Sequence, residues 1–201
     1  MPFNLVDQYG NPIGVSKVGG GLRTAPANTE FDEAVERGSV YIAANQTTVT
    51  TQAGLSATTP ALTVANPAGS KKVVKLWYAG CQTLVAWAAG AAVWLAQGGS
   101  AVAAAVTETT TATIINAKTN LTVIRPEGVA VLAVATLPAA PVAIALLGAG
   151  LTGAITTAPG IAPFGRWFNG ALRLAPGFNW SLQTSTAGTL FGEFIIEIAP
   201  E

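Results

Sequence analysis

The amino-acid sequence predicts an all-β fold, an antiparallel β-sandwich of the jelly-roll kind, preceded by an extended N-terminal arm and one short helix. From Phe178 to Gln183 apolar and polar residues alternate without exception, which is the period of a half-buried strand. From Ser39 onward threonine, valine and isoleucine dominate, and clusters of glycine, proline and asparagine recur at short intervals. Such closely spaced strands and turns favour a sandwich over alternating strands and helices.

Residues 1–27 are predicted to form an irregular arm, because glycine, asparagine and proline at 10–12 and glycines at 19–21 interrupt regular structure. A short helix then begins at Thr29, which suits the N-cap position, and ends near Gly38. Its acidic residues lack the spacing of a calcium loop, so a solvated helix face is favoured over a calcium site. We therefore place the arm and helix at residues 1–38 and the sandwich domain at residues 39–201.

Strands are predicted to follow one another closely through the sandwich domain. They cover residues 40–44, 47–52, 61–65, 71–79, 83–95, 101–107, 110–115, 121–124, 129–135, 142–147 and 172–174. A hairpin of residues 178–183 and 190–198 closes the chain. The apolar residues of its first strand are predicted to face the core. The intervening Asn179, Ser181 and Gln183 are expected on the outer face, available to solvent or to a neighbouring subunit.

The composition argues against several classes of function. The chain has no histidine, so the usual general base and the commonest metal ligand are missing. Its net charge is zero, so we expect no electrostatic surface for nucleic acid. Charged residues make up 10% of the chain against a typical ~25%, which suits a surface covered by partners. The single Cys81 is expected to be a buried apolar side chain. We predict no catalytic, cofactor-binding or metal-binding residue.

Two long uncharged spans, residues 76–107 and 128–165, raise the question of a membrane segment. A spanning helix needs about 20 mostly apolar residues. Glycine, glutamine and proline cut both spans into pieces of strand length. Residues 1–27 also lack the apolar stretch of a secretory signal. We therefore expect neither a membrane span nor a signal peptide.

Residues 148–153, GAGLTG, match the glycine pattern of dinucleotide-binding loops and follow an apolar run. That pattern requires a helix after it, but Pro159 and Gly160 would stop a helix within two turns. No acidic residue lies between Glu127 and Glu193 to bind a ribose. We interpret these glycines as turn and close-packing positions.

Glu193 and Glu197 in the last strand are of the residue type that glycosidases use in pairs. Residues four apart in a strand lie about 13 Å from each other, which is too far for that chemistry. An outward-facing, solvated pair is the favoured interpretation. A glycosidase that combines Glu193 with another carboxylate ranks last among the functions considered.

Four of the five tryptophans fall into two groups. Trp77, Trp87 and Trp94 fall in predicted strands, where core packing is expected. Trp167 lies between Arg166 and Phe168 in a predicted loop or strand edge. Exposed aromatic residues beside arginine are typical of a protein interface or of a sugar-binding platform, and we favour the interface.

Several turn-and-strand segments resemble the jelly-roll structural proteins of tailed bacteriophages. Near the C-terminus the resemblance rests on PFG at residues 163–165, the APG turn at 175–177 and FGEF at 191–194. Earlier in the chain it rests on the NPAGSKK loop at 66–72 and the strand VVKL that follows. The resemblance covers roughly residues 40–198, and the arm and helix lie outside it.

The resemblance implies a non-enzymatic virion protein, a capsid decoration or cement subunit that binds across coat subunits and stabilises the shell. Its expected partners are the major capsid protein and copies of itself in a homotrimer on the capsid surface, after synthesis in the host cytoplasm. The alternative is a receptor-binding or glycan-binding jelly-roll module of a phage tail or head fibre. The expected interface residues are Arg23, Phe31, Arg166, Trp167 and Phe168, with the arm laid over adjacent coat subunits.

Overall fold

The computed structural model describes residues 16–18, 21–23, 29–83, 91–99, 107–150 and 163–201. Their elements are β1 Ser16–Val18, β2 Gly21–Arg23, α1 Thr29–Glu36, β3 Val40–Ala44, β4 Val49–Thr50, β5 Thr63–Ala65, β6 Lys72–Thr83, β7 Ala91–Gly99, β8 Thr107–Thr111, β9 Thr113–Asn116, β10 Thr122–Val123, β11 Ala130–Thr136, β12 Val142–Gly150, β13 Pro163–Leu174, β14 Phe178–Thr184 and β15 Thr189–Pro200, with a 3-10 turn at Pro126–Gly128. The all-β prediction with one short helix is confirmed.

Two antiparallel sheets pack face to face and form the sandwich. Sheet I has the strand order β10-β9-β3-β15-β6-β13, with β4 also paired to β15. Sheet II has the order β12-β7-β14-β5-β11-β8. Strands β1 and β2 form a separate two-stranded ladder inside the segment predicted to be irregular.

Eight of these strands have the pairing pattern of a jelly roll. Taken in chain order they are β3, β5, β6, β7, β12, β13, β14 and β15. The first pairs with the last, the second with the seventh, the third with the sixth and the fourth with the fifth. This is a single antiparallel ribbon rolled into two sheets, as in a jelly roll. Strands β8 to β11 are inserted between β7 and β12 and widen both sheets on one side.

The core lies between the inner faces of the two sheets. On β3 the side chains of Tyr41 and Ala43 point inwards and are buried, while Ile42 between them points outwards. Burying one large apolar side chain contributes about 1.5–3 kcal/mol. The fully buried apolar side chains of this core include Leu62, Leu76, Leu95, Ile114, Leu174, Trp180, Leu182, Leu190, Phe194 and Ile196.

The outer face of β14 is buried, so the prediction that Asn179, Ser181 and Gln183 are available to solvent is wrong. All three side chains are at most 2% exposed. Strand β14 lies in the interior of sheet II, and residues 51–58 pack against its end. There Gln183 Nε2 donates a hydrogen bond to the carbonyl oxygen of Ser56 at 3.2 Å, and the Ser56 N–H donates to Gln183 Oε1.

Most predicted strands are present with shifted ends. Strand β3 has the predicted bounds. Of the predicted strand 83–95, Thr83 belongs to β6 and residues 91–95 belong to β7, while residues 84–90 lie outside the described residues. Trp94 in β7 is half-buried rather than part of the core between the sheets. Trp87 and residues 101–106 of another predicted strand lie outside the described residues.

The glycine pattern that resembles a dinucleotide-binding loop begins within a strand. Gly148 and Gly150 both belong to β12. A Cβ atom at Gly148 would collide with the ring of Phe164 on β13, so glycine is required there by close packing. The close-packing interpretation is confirmed for Gly148, and residues 151–153 lie outside the described residues.

Two of the turns on which the phage resemblance rests meet at one end of the sandwich. Asn66 Nδ2 donates hydrogen bonds to the carbonyl oxygens of Lys72 at 2.8 Å and Leu174 at 3.0 Å. The N–H of Gly177, a residue with φ of 87°, donates to the carbonyl oxygen of Asn66 at 2.8 Å. Asn66 therefore connects the β5–β6 loop to the β13–β14 turn.

Candidate functional site

Three of the five predicted interface residues lie in strand β13, but not on one face: Trp167 is on the outer face, whereas Arg166 pairs with the inner-face residue Ala79 and Phe168 packs against the core. The side chain of Trp167 is 56% exposed. The guanidinium of Arg166 lies over the ring of Phe168, 5.4 Å from its centroid. Arg23 lies in the separate β1–β2 ladder, opposite Ser16. Phe31 packs on the protein's own Trp77 in an edge-on contact, with 4.9 Å between ring centroids.

The outer face of sheet I carries a row of apolar side chains that crosses five strands. Ile115 of β9 lies opposite Ile42 of β3, which lies opposite Ile195 of β15. Ile195 lies opposite Tyr78 of β6, and Tyr78 lies opposite Trp167 of β13. Paired residues of antiparallel strands share a face, so these five side chains form one row about 19 Å long. We call this row the apolar stripe.

The apolar stripe is accessible to a partner. The side chains of Ile115, Ile42 and Trp167 are 36%, 40% and 56% exposed. Ile195 and Tyr78 are half-buried. Single exposed apolar residues are normal on a protein surface, but a continuous row is typical of an interaction site. The stripe is therefore our candidate functional site.

A bulge in β6 separates the covered part of this face from the open part. The register against β15 shifts between Tyr78, which faces Ile195, and Leu76, which faces Ile196, so Trp77 is the extra residue. Bulges re-aim side chains in this way. Trp77 is buried under α1, whereas the adjacent Tyr78 belongs to the open apolar stripe. Helix α1 thus covers one side of the outer face and leaves the stripe open.

Tyr78 lies over two glycines of neighbouring strands. Gly80 and Gly165 are opposite each other, and a Cβ atom at Gly80 would lie 2.5 Å from the Tyr78 hydroxyl oxygen. The ring of Trp167 is 5.1 Å from that of Tyr78 and tilted by 50°. Burial raises the pKa of Tyr78, and the charge of Glu193 and a hydrogen bond to it raise the pKa further. The result is a two-ring platform beside a carboxylate.

Substitution of Gly165 by alanine tests whether the glycines hold the tyrosine ring. The added Cβ would collide with the Tyr78 hydroxyl group, so we expect a loss of about 1–3 kcal/mol in the free energy of unfolding. In a Tyr78→Ala background the same change should cost less than about 0.5 kcal/mol, because the obstructing ring is gone. Equal costs in both backgrounds, measured by urea denaturation, would contradict this packing.

Glu197, on the other side of the stripe from Glu193, is buried in an ion-pair cluster, so the prediction of an outward-facing, solvated pair is wrong for this residue. Its side chain is 2% exposed. One carboxylate oxygen accepts from Lys75 Nζ at 3.2 Å and from Arg37 Nη2 at 3.3 Å. The other accepts from Trp77 Nε1 at 3.3 Å. Because Arg37 directly follows α1, its ion pair with Glu197 links the end of the helix to strand β15 of sheet I.

Sequence reasoning missed most of the stripe for a physical reason. The β3 sequence VYIAA is apolar throughout, so its alternation gives no sign that Ile42 points outwards. The residues of the stripe come from five strands far apart in the chain, and strand pairing alone brings them into one row. Trp167 was found because it stands beside an arginine in a segment rich in glycine and aromatic residues.

Cys81 lies on the inner side of β6, as expected for a small apolar side chain. Burial raises the pKa of its thiol to about 12, with a smaller contribution from the charge of Glu193. The thiolate fraction at pH 8 is then about a thousandfold below that of an ordinary cysteine. We expect iodoacetamide to label the folded protein at least about a thousandfold more slowly than the protein in denaturant. Similar rates, followed by mass spectrometry, would contradict this burial.

The described residues contain neither a candidate membrane-spanning helix nor a candidate metal centre. None of the described helices is both long enough and apolar enough to cross a membrane. Among the described side chains, no group of three or more cysteine, aspartate or glutamate residues is placed to hold a metal ion.

Comparison with known proteins adds no relative to this description. No family model matches the chain, and neither curated proteins nor solved structures give a significant match. The strand pairing, the surface and the side-chain chemistry of the chain itself are the basis for a functional proposal.

Proposed function

We propose that this protein is a non-enzymatic structural subunit of a tailed-phage virion, a decoration or cement protein that binds across coat subunits and stabilises the capsid. The observation that supports the proposal most is the apolar stripe, which crosses five strands of sheet I in one register. The jelly-roll pairing and the turns that resemble phage structural proteins support the assignment to this class of protein.

The apolar stripe has the composition of an interface centre. Tyrosine and tryptophan are enriched among residues that dominate binding energy, and charged residues are depleted at interface centres. The stripe contains one tyrosine, one tryptophan and three isoleucines, while Glu193 and Thr113 lie in the next row of the sheet. A specific interface buries about 800 Å² on each partner. The stripe would therefore form the centre of a larger contact with a polar rim.

The expected partners are the major capsid protein and further copies of this chain in a homotrimer on the shell. A cement subunit stabilises a capsid by binding the assembled form more tightly than free coat subunits, which adds binding free energy to the assembled state. The apolar stripe crosses five strands of sheet I, and a surface of that width suits contact with two neighbouring subunits.

Capsid binding of a matched pair of variants tests the proposal. Ile42 in the stripe and Ile144 on sheet II are 40% and 41% exposed, so lysine disturbs folding about equally at either position. We expect Ile42→Lys to reduce co-sedimentation with capsids of the encoding phage at least about tenfold. Ile144→Lys should bind like the wild type. Unchanged binding by Ile42→Lys would contradict the proposal.

The N-terminal arm is proposed to lie over adjacent coat subunits and to add to the contact. Deletion of residues 2–27 removes the arm up to the start of α1 and leaves both sheets intact. We expect the truncated protein to keep its circular dichroism spectrum and to lose most of its capsid occupancy in negative-stain images. Full occupancy after the deletion would exclude this role for the arm.

A glycan-binding module of a phage tail or head fibre is the second candidate function. It is supported by the platform of Tyr78 and Trp167, since sugar rings stack on aromatic faces. Around the platform, however, the paired positions are Gly80, Gly165 and Glu193, which offer few of the polar groups that a saccharide needs. This candidate predicts signals on a glycan array that Trp167→Ala abolishes. An array without signals would count against it.

A further inference from the structure

The platform beside Glu193 combines an aromatic pair on an open sheet face with a carboxylate that forms no ion pair with the described side chains. Tyr78 and Trp167 present aromatic rings on an open sheet face, and Glu193 adds a carboxylate to the same platform. Glycines at positions 80 and 165 leave the space that Tyr78 occupies. Glycine weakens a strand interior and often marks close approach of another group. The geometry therefore holds the tyrosine ring in a fixed position next to an exposed acid.

Glu193 is exposed, and none of the described side chains forms an ion pair with it. Lys75 and Arg37 both contact Glu197, on the other side of the stripe. Arg166 is close in sequence to Trp167, but it lies opposite Ala79, a residue of the inner face. A cation for Glu193 would accordingly come from a side chain other than those that the structure describes.

We propose that Tyr78, Trp167 and Glu193 form a binding site for an arginine side chain of the partner protein. The guanidinium would lie on the aromatic platform and form hydrogen bonds with the Glu193 carboxylate. The identification of the donor as a partner protein rests on the proposed function. The site itself rests on the contact between the rings of Tyr78 and Trp167 and on the register that places Glu193 opposite Gly80, which the Tyr78 hydroxyl overlies.

Arginine fits this site better than lysine for three physical reasons. Its guanidinium is planar and stacks on aromatic rings, whereas an ammonium group is a compact point charge. It can donate two parallel hydrogen bonds to one carboxylate. It is also more weakly hydrated, so covering it at an apolar interface costs less free energy. The three isoleucines of the stripe would contact apolar residues that flank the arginine in the partner.

Titration with a small arginine peptide tests the site without any capsid. The probes are acetyl-Gly-Arg-Gly-amide and its lysine and citrulline counterparts, followed by ¹H-¹⁵N NMR of the full chain. We expect the arginine peptide to shift the indole signal of Trp167 and the amide signals near residues 78 and 193, with millimolar affinity. The lysine peptide should bind several-fold more weakly, and the uncharged citrulline peptide should cause no shift at these positions.

Charge removal at Glu193 is the decisive variant, because an exposed residue can be changed with little risk to folding. We expect Glu193→Gln to weaken arginine-peptide binding by about three- to tenfold. The matched control Glu30→Gln removes an exposed carboxylate from α1 and should leave binding unchanged. Equal binding by wild type and Glu193→Gln, or absence of shifts at Trp167, would overturn the arginine site. Failure of Ile42→Lys to reduce capsid binding would instead overturn the proposed function, so the two failures are distinguishable.

Discussion

Replacement of Glu197 by alanine is expected to lower the free energy of unfolding by about 2–4 kcal/mol. The carboxylate is 2% exposed and is contacted by Lys75, Arg37 and the indole N–H of Trp77. Its removal leaves two cations and a buried donor without their acceptor, which costs more than the intact cluster contributes. This range lies about 1 kcal/mol lower than the 3–5 kcal/mol that breaking a fully buried pair costs. The reason is that the side chains of Lys75 and Arg37 are 26% and 57% exposed, so water can hydrate both cations after the carboxylate is removed.

Glu193 provides the control for this experiment within the same strand. It lies four residues earlier in β15, is exposed, and forms no ion pair with the described side chains. We expect Glu193→Ala to change the free energy of unfolding by less than about 0.5 kcal/mol. Urea denaturation of both variants measures the difference. A loss for Glu197→Ala no larger than that for Glu193→Ala would refute the role of the cluster.

Trp180→Ala is expected to have the largest effect on stability, about 3–5 kcal/mol. Trp180 is fully buried on the inner face of β14, and its Nε1 donates a hydrogen bond to Gln97 Oε1 at 3.3 Å. The substitution removes a large apolar surface, leaves a cavity in a close-packed core, and leaves the Gln97 acceptor without its donor. The measured quantity is the midpoint of guanidinium-induced unfolding.

Trp167→Ala is the matched control for the core substitution. The same atoms are removed, but from a side chain that is 56% exposed. We expect a loss of less than about 1 kcal/mol, from reduced contact with the ring of Tyr78. The losses in the free energy of unfolding should therefore distinguish Trp180, which stabilises the core, from Trp167, which is available for binding. Equal losses in the two variants would argue against the burial described for Trp180.

Local sequence signals predicted the elements of the fold well. Strand β3 has the predicted bounds, α1 begins at Thr29, and Gly38 has the left-handed φ of 73° expected of a residue that ends a helix. The jelly-roll prediction depended on turns such as residues 66–70 and 175–177, which the structure joins through Asn66. These features depend on residues close together in the chain, so the sequence displays them directly.

Features set by strand pairing were the ones that the sequence could not predict. The polar residues of β14 alternate with apolar ones, but neighbouring segments bury both faces, so Gln183 is 2% exposed. Glu193 and Glu197 look equivalent along the strand, yet α1 covers one and leaves the other open. The apolar stripe exists because the register of five strands aligns its residues. Such facts become visible when the topology is known.

The apolar stripe is proposed to be the surface through which this protein binds a capsid. Cryo-electron microscopy of capsids decorated with the wild-type protein tests it most directly. We expect density in which Ile42, Tyr78 and Trp167 approach coat-protein side chains to within about 4 Å, the distance of apolar contact. Decorated capsids in which these residues face solvent would contradict the claim, as would capsids that carry no density for the protein at saturating concentration.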